Sequence, residues 1–359
     1  MKKVILVSTC TNTKTASVSE KAKLENCKKR NFSDAVKEWS RTLAELPEST
    51  VRASELYSGT HWTESLAAYG TLESSEKCVP ELWILSAGYG LIPGDALVQP
   101  YSATFAGGPD SIHELVWEPE LSAKDRSYLW WEELNACKPE AIPRTLPCID
   151  DASDTLWIVV LSKEYMPAVE QELFELVSSG RRVLVISAGA YGNVQSLHPV
   201  LQPRLFPLSE KFETYRQSLH GAKVALNANF VHWLTVERLD ELIDDPDALL
   251  ASVGELDKSL PDPASISVEE FVRLSKECGS DLPTEELEHL WTKRNRQTLP
   301  MTDEEVLAFI KLHYEPGISS ATKLLRKLRH EEGRSCEQKR FGALFKNYEN
   351  RNQLSLFDE

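Results

Sequence analysis

Residues 82–90 read Leu-Trp-Ile-Leu-Ser-Ala-Gly-Tyr-Gly, and residues 183–192 repeat the pattern as Val-Leu-Val-Ile-Ser-Ala-Gly-Ala-Tyr-Gly. In each copy a short apolar run predicts a buried strand, and the small residues after it predict a loop at the carboxyl end of that strand. Similar runs predict three more strands, at 4–7, 156–161 and 224–227. Because these apolar runs alternate with amphipathic helical stretches such as 32–46, the sequence predicts an α/β fold with a mostly parallel sheet flanked by helices.

Several classes of site are not supported by the sequence pattern. Neither copy fits the G-x-G-x-x-G of dinucleotide-binding loops, and there is no G-x-x-x-x-G-K-[ST], so we expect no nucleotide cofactor. The histidines lack metal-ligand spacing, and the seven cysteines form no C-x-x-C pair, which argues against a metal site and a disulfide framework. Since no apolar run reaches the roughly 18 residues of a membrane helix, the sequence predicts a protein of the reducing cytoplasm.

The chain divides by composition into a predicted α/β domain at 1–236 and a small all-helical domain at 266–348. Residues 237–265 are acidic and contain prolines, which is typical of an interdomain linker. Two segments of the helical domain fit the capping box that begins a helix, 267–270 and 302–305. Residues 349–359 have no predicted partner element, and we expect them to form a flexible tail.

Charge is distributed unevenly along the chain. The net charge is −15, yet residues 323–351 contain nine basic and four acidic residues. Two helices are predicted there, 320–329 and 336–348, in a helix-turn-helix-like arrangement. We expect the basic side chains to contact the phosphates of double-stranded DNA, namely Lys323, Arg326, Lys327, Lys339, Arg340 and Lys346. The alternative is a solvated charged face.

Residues 353–357 read Gln-Leu-Ser-Leu-Phe. The segment resembles the pentapeptide by which bacterial polymerases and repair proteins bind the replication sliding clamp. This resemblance implies that Leu356 and Phe357 enter an apolar groove, that Gln353 hydrogen-bonds the backbone at its edge, and that Leu354 belongs to the same contact. The alternative is a frayed chain end with chance hydrophobics, although exposed apolar side chains are disfavoured without a partner.

Four segments carry a further resemblance: residues 7–14, 54–62, 83–101 and 159–165. The third, which contains Ser-Ala-Gly-Tyr-Gly-Leu and ends in Gln-Pro-Tyr, is the most specific. In this order the segments resemble the bacterial YaaA-like superfamily, which includes peroxide-stress proteins that bind DNA and proteins associated with phage defence, and they resemble antiphage DNA glycosylases. The helical domain and the clamp peptide lie outside the basic family pattern, so the resemblance alone does not fix a substrate.

The strand-end loops supply a candidate base pocket. Aromatic rings with an amide can stack on an extruded base and read its edge, and the candidates for this role are Tyr57, Ser86, Gly88, Tyr89, Gln99, Tyr101, Ser187 and Gly189. The alternative for each tyrosine is a core aromatic whose hydroxyl is hydrogen-bonded within the fold.

Catalysis of base excision places a further demand on these loops. An N-glycosidic bond breaks through an oxocarbenium-like state, so a carboxylate or an amide-held water is needed opposite the leaving base. The catalytic candidates are Asn12, Asp95 and Asp110, with Asp150 in place of Asp110 as an option. The alternative for each aspartate is a turn residue. Cys10 is a weaker nucleophile candidate, since the sequence identifies no histidine or asparagine partner for it.

These patterns together predict a DNA glycosylase that excises an extruded, modified base, and the resemblance implies phage defence as its setting. The competing hypothesis is a non-catalytic DNA-binding adaptor that is recruited to replicating DNA through the sliding clamp. A third option is a transferase that modifies free nucleotides in the same strand-end pocket.

Overall fold

The computed structural model describes residues 1–28, 30–46, 50–117, 120–150, 152–187, 198–206, 209–217, 226–298, 301–315, 319–330, 334 and 336–355. The strands are β1 (Lys2–Thr9), β2 (Val51–Arg52), β3 (Cys78–Ser86), β4 (Gly90–Pro93), β5 (Leu97–Val98), β6 (Leu156–Leu161), β7 (Arg182–Ser187) and β8 (Leu205–Phe206). The first α-helices are α1 (Phe32–Glu45), α2 (Ala53–Leu56), α3 (Thr60–Glu73), α4 (Ala123–Ala136), α5 (Met166–Ser178), α6 (Glu210–Tyr215) and α7 (Leu226–Glu237). The remaining α-helices are α8 (Leu239–Asp244), α9 (Pro246–Ser259), α10 (Val268–Glu277), α11 (Thr284–Thr298), α12 (Asp303–His313), α13 (Ala321–His330) and α14 (Gln338–Ser355).

Six strands form one sheet in the order β4-β3-β1-β6-β7-β8, and β2 pairs with β5 in a separate sheet. β1 lies parallel to β3 and to β6, with Val7 in register with Trp83 on one side and Val159 on the other. β4 runs antiparallel to β3 as the second strand of a hairpin. The prediction of a mixed α/β fold with a mostly parallel sheet flanked by helices is confirmed.

The middle strands of the sheet are buried along almost their whole length. Val4–Val7 in β1 and all six residues of β6 are buried. Helices α3 and α7 pack against each other and contact central strands, while α4 and α5 pack against each other and contact β4 and β7 respectively. Each buried Val, Leu or Ile side chain contributes roughly 1.5–3 kcal/mol, so this core fixes the strand ends from which the candidate site is built.

The sequence predicted a fifth strand at 224–227, but the described part of that segment, residues 226 and 227, lies in a helix. Helix α7 begins at Leu226, and the sheet ends instead with β8, which pairs parallel to β7. Phe230, Val231 and Leu234 are all buried, at the spacing of one helix face. Three apolar residues followed by Asn227 do not distinguish a strand from the first turn of a buried helix, and the longer period decides here.

The chain forms two compact units: unit 1 comprises Met1–Glu213 and Ser218–Ser259, and unit 2 comprises Thr214–Gln217 and Leu260–Glu359. Residues 239–259, which the sequence assigned to a linker, form α8 and α9 and belong to unit 1. Their acidic residues are exposed except for Asp257, which is buried, and apolar residues such as Leu242 and Leu249 are buried as well. The proline that suggested a linker, Pro246, is the first residue of α9, where proline is compatible with a helix.

Every described element of unit 2 that is longer than three residues is a helix. Helices α12, α13 and α14 share one apolar core. Its buried members are Met301, Val306, Phe309, Ile310, Leu324, Leu325, Leu328, Cys336, Phe341 and Phe345. Thr302 begins α12 with a complete capping box to Glu305. Helix α14 continues to Ser355, so residues 349–355 extend this helix instead of forming the separate tail that the sequence predicted. No helix in the described residues is long and apolar enough to cross a membrane.

Candidate functional site

The parallel strands end at one edge of the sheet, where the chain leaves β1 and β6 in opposite directions. Within the six-stranded sheet, the strand that comes next after β1 along the chain is β3, and it lies on one side of β1. The strand on the other side of β1 is β6, and the strand that comes next after β6 is β7. Such a reversal of strand order creates a crevice in which open α/β sheets bind ligands. Cys10 lies at this crevice, because it directly follows β1 and its N–H donates to the carbonyl of Leu85 at 2.9 Å.

Three hydroxyl groups meet at the end of β3. Tyr101 Oη lies 2.7 Å from Ser86 Oγ and 3.2 Å from Tyr57 Oη, and Tyr57 Oη donates to Ser86 Oγ at 3.3 Å. Tyr89 fastens the loop beside them, since its N–H donates to Ser86 Oγ at 3.0 Å and its Oη accepts from the N–H of Gln99 at 2.9 Å. The sheet edge therefore brings together five of the residues that the sequence proposed for a base pocket.

The burial of these tyrosines limits what they can do. Tyr101 and Tyr57 are 0% and 2% exposed, so the core holds both rings and neither presents an open face for stacking on a base. Burial raises the pKa of both hydroxyls well above the usual value, and the charge that Cys10 can carry adds to this shift. Both groups therefore stay protonated, as hydrogen-bonding groups behind the crevice. Tyr89 is half-buried, and burial raises its pKa to about 12.

Gly88 allows the loop after β3 to lie against Tyr101. A Cβ atom at Gly88 would stand 2.4 Å from two carbon atoms of the Tyr101 ring. The loop backbone is held from outside by two indoles: Trp39 Nε1 donates to the carbonyl of Gly88 and Trp130 Nε1 to that of Ala87, each at 2.8 Å. The Ser-Ala-Gly segment is thus required for a close approach between backbone and ring.

Cys10 and Lys14 form the accessible part of the site, and both side chains are half-buried. Cys10 Sγ lies 2.8 Å from Tyr165 Oη, which follows β6, and it accepts from Tyr101 Oη at 3.3 Å. Lys14 Nζ lies 4.7 Å from the centre of the Tyr101 ring and 5.5 Å from that of Tyr57. Burial lowers the pKa of the Lys14 amine, while the charges that Cys10 and Asp110 can carry act in the opposite direction.

The backbone fixes Lys14 in this position. Thr15 N–H donates to the carbonyl of Leu56 at 2.9 Å, and Ser58 N–H donates to that of Thr13 at 3.0 Å. The Lys14 amine itself donates to the carbonyl oxygens of Thr11 at 2.7 Å and Asn12 at 3.2 Å. Sequence reasoning did not select Lys14, although it lies in the Thr-Asn-Thr-Lys segment that follows the first strand. Its position just after a strand end was the available signal.

The predicted catalytic aspartates do not converge on this site. Asp95 is exposed and lines a separate groove with Arg52 and Tyr69, none of whose lining residues is a tyrosine of the site. The reason is the hairpin: β4 runs back along β3, and Gly94 N–H donates to the carbonyl of Leu82 at 2.8 Å. Asp95 therefore lies away from the carboxyl edge.

The other polar candidates hold the fold together. Asp110 accepts from the N–H of Glu25 at 3.0 Å and from Ser102 Oγ at 2.7 Å, so its carboxylate connects two loop segments. Asp150 pairs with Lys3 at 2.8 Å, at the opposite end of β1 from Cys10. Gln99 Nε2 donates to the carbonyl of Leu46 at 3.3 Å. The side chain of Asn12 is exposed.

The second Ser-Ala-Gly copy is described only in part. Ser187, the last residue of β7, is buried and in register with Leu161 of β6. Gly189 lies outside the described residues, as do residues 188–197 in general. In the described part of the chain, no three histidine, cysteine, aspartate or glutamate side chains come together as a metal-ligand set.

A buried histidine contacts the last two residues of β1. His61 Nε2 lies 3.2 Å from Ser8 Oγ and 3.1 Å from Thr9 Oγ1, and Ser8 Oγ is 2.8 Å from Ser65 Oγ. Burial lowers the pKa of His61 to about 4. The imidazole is therefore neutral at pH 7 and exchanges hydrogen bonds with the two hydroxyls immediately before Cys10.

The buried His61 gives unit 1 a pH-dependent stability. Its pKa of about 4 lies below that of an exposed histidine. The contribution of His61 to the free energy of unfolding is therefore complete above about pH 6.5, and about 3 kcal/mol of it is lost as the pH falls towards 4. We expect the stability advantage of the wild type over His61→Gln to shrink by about this amount between pH 7.5 and 4. Tryptophan fluorescence in urea measures it, since eight of the nine tryptophans belong to unit 1.

The comparison of two proteins at each pH also removes the effect of Glu172. Burial raises the pKa of that carboxyl to about 7, and a raised acid pKa adds stability as the pH falls, which is the opposite sign. Both proteins retain Glu172, so its effect cancels in the difference. His289→Gln, at an exposed position, is the matched control, and a difference between wild type and His61→Gln that does not change with pH would contradict the prediction.

The basic helices of unit 2 present an uneven set of cations. Arg326, Lys339 and Lys346 are exposed. Arg340 is held by Asp303, to which its guanidinium donates through Nε at 2.7 Å and also through an Nη. Arg334 pairs with Glu305 at 3.0 Å. These two pairs connect α12 to the region of α14, so Arg340 has a role within the fold that the charge count did not reveal.

The predicted clamp peptide is described only in its backbone and only in part. Gln353, Leu354 and Ser355 form the end of α14, and their side chains lie outside the description. Leu356 and Phe357 lie outside the described residues.

Comparisons with known proteins identify no relative of this chain. No family model, no curated protein and no solved structure matches this chain. The site is therefore defined by its own chemistry: a half-buried amine and a half-buried thiol at the crevice of an α/β sheet, with tyrosine hydroxyls behind them.

Proposed function

We propose that this chain is a DNA N-glycosylase of the YaaA-like type, which hydrolyses the bond between deoxyribose and an extruded, modified base. Its setting would be the bacterial cytoplasm, in defence against phage DNA or in repair. In this proposal unit 1 holds the base and the sugar, and unit 2 binds the backbone of the duplex.

The observation that carries the proposal is that Cys10 and Lys14 both lie beside Tyr101 at the carboxyl end of β1. Excision of a base requires a group that can reach C1′ of the sugar, and an amine or a thiol at the mouth of a crevice has that reach. Behind them, Tyr101 and Tyr165 place hydroxyls at 3.3 and 2.8 Å from the thiol. Protonated hydroxyls in a buried setting are suited to stabilise charge that develops during bond cleavage.

Unit 2 supports binding to a duplex. Arg326, Lys339 and Lys346 are exposed on two helices that share a core of buried Leu and Phe residues. A rigid helical module with projecting cations suits contact with phosphates, which sets affinity and position on DNA without reading its sequence. The segment at 353–357 supports the further proposal that a sliding clamp brings the protein to replicating DNA.

Base release is the direct test of this function. Incubation of the full chain with duplexes that carry bulky modified bases is expected to release a free base and leave an alkali-labile abasic site, while matched unmodified duplexes stay intact. Released bases are measured by mass spectrometry and strand breaks by gel electrophoresis after alkali. If the chain binds the duplexes but leaves every base of a broad panel in place, the non-catalytic adaptor is the correct function.

A truncated chain that lacks residues 353–359 is the control for the clamp. Because this segment is proposed to bind the clamp and not the base, the truncated chain should excise bases from naked duplexes at the same rate as the full chain. It should lose retention on immobilised sliding clamp. Equal retention of the two chains would remove the clamp from the proposal and leave base excision standing.

A further inference from the structure

The surroundings of Lys14 differ from those of the ion-paired lysines of unit 1, such as Lys3 with Asp150. Lys14 is half-buried, and its amine donates to the backbone carbonyl oxygens of Thr11 and Asn12. Asp110, the nearest acid that influences it, is already hydrogen-bonded to Glu25 and Ser102. A structural lysine in a protein surface gains more from an ion pair or from water than from such a position.

The surroundings also favour a reactive amine. Removal of an ammonium group from water destabilises its charged form, and burial accordingly lowers the pKa of Lys14. The Lys14 amine lies over the rings of Tyr57 and Tyr101, whose hydroxyls burial keeps protonated and neutral. A larger neutral fraction is what an amine needs to attack carbon, as lysines that form imines in enzymes illustrate.

We infer that Lys14 is the nucleophile of the site and forms an imine with C1′ of the deoxyribose. This inference rests on the proposed glycosylase function and names the residue that performs it. It also accounts for the positions of the predicted aspartates, since a glycosylase that attacks with an amine needs no carboxylate opposite the leaving base.

The reaction balances with water as the only co-reactant. The Lys14 lone pair forms an Nζ–C1′ bond while the glycosidic bond breaks. The electron pair of the glycosidic bond leaves with the base. The base then takes up a proton that the amine releases through water. The C1′–O4′ bond then breaks as the C1′=Nζ bond forms, and O4′ receives the second amine proton. Addition of water to the imine regenerates the free amine and leaves the abasic sugar as an aldehyde.

Borohydride trapping on a duplex with a ready-made abasic site tests this step without any base excision. The abasic aldehyde condenses with an amine, and borohydride reduces the imine to a stable secondary amine that joins protein to DNA. We expect the full chain to cross-link, peptide mapping to place the adduct on Lys14, and Lys14→Met to lower the yield at least about tenfold. The methionine preserves the apolar stem over the two tyrosine rings.

Two control variants separate the possible outcomes. Lys163 follows β6 at the same edge of the sheet but is 71% exposed, so Lys163→Met should cross-link like the wild type. Cys10→Ser tests the other nucleophile of the site: we expect its adduct to map to Lys14 whatever the yield, because a thiol cannot form an imine with the aldehyde. Adducts spread over surface lysines, or full cross-linking by Lys14→Met, would overturn the inference even if base excision is observed. Lys14 cross-linking without excision of any base would instead overturn the glycosylase and retain the imine.

Discussion

Gly88→Ala is expected to destabilise unit 1 by about 3 kcal/mol and to abolish base excision. The added methyl would lie 2.4 Å from two atoms of the Tyr101 ring, well inside van der Waals contact. The ring cannot turn aside easily, because Tyr101 is fully buried and its hydroxyl contacts Ser86 and Tyr57. The loop cannot retreat without losing the indole hydrogen bond from Trp39 to the Gly88 carbonyl. Urea unfolding followed by tryptophan fluorescence measures the loss.

Gly70→Ala is the matched control for this substitution. Gly70 lies within α3, and a Cβ atom there meets nothing within 4 Å. Alanine is favoured over glycine in a helix interior by up to about 1 kcal/mol, so this variant should be as stable as the wild type or slightly more stable. If Gly88→Ala proved as stable as Gly70→Ala, the close packing of the Ser-Ala-Gly loop on Tyr101 would be refuted.

The second large effect is expected on DNA affinity. If unit 2 binds the duplex as proposed, simultaneous replacement of Arg326, Lys339 and Lys346 by alanine should weaken duplex binding about 100-fold at moderate salt, because each of these exposed cations would contact one phosphate. The slope of log affinity against log salt concentration should fall in magnitude by about 3, at roughly 0.9 per phosphate. The loss should be equal on duplexes of unrelated sequence, since phosphate contacts carry no base information. Fluorescence anisotropy at several salt concentrations provides both quantities.

Arg340→Ala distinguishes a specific contact from a general loss of charge. Arg340 lies on the same helix as Lys339, but its guanidinium is hydrogen-bonded to Asp303. Its removal should therefore change the salt slope by much less than the average of the three exposed cations. An equal effect of Arg340 and of each exposed cation would show that only net charge matters, which contradicts a defined phosphate-binding surface on unit 2.

The strands of the sheet could be predicted because they are decided locally. The runs 4–7 and 156–161 are apolar on both faces, which is typical of strands covered by helices on both sides. The prediction of a strand at 224–227 was wrong because three apolar residues followed by Asn227 fit a helix start equally well. The linker failed because acidic residues and prolines mark exposure and helix starts as well as disorder.

The sequence could predict where the site lies but not which reactive groups it contains. Ser86 and Tyr89 follow a strand of the parallel sheet and lie at its carboxyl edge, as expected, and Tyr57 and Tyr101 reach the same place from the segments after α2 and β5. Whether a ring is exposed depends on contacts far apart in sequence, such as the Trp39 ring against Tyr101. The position of Asp95 depends on how far β4 runs back along β3, and the burial of Lys14 depends on two tyrosines 43 and 87 residues away. None of these distances is encoded in local pattern.

The continuation of α14 to Ser355 has a thermodynamic consequence for recruitment. In the free chain Gln353, Leu354 and Ser355 have helical backbone, so a partner that binds this segment in extended form selects only those molecules whose last helical turn has unwound. Its apparent dissociation constant is the intrinsic value divided by the unwound fraction. Helix termini fray at low cost, so substitutions that favour or oppose helix in this turn would tune recruitment without touching a single contact residue.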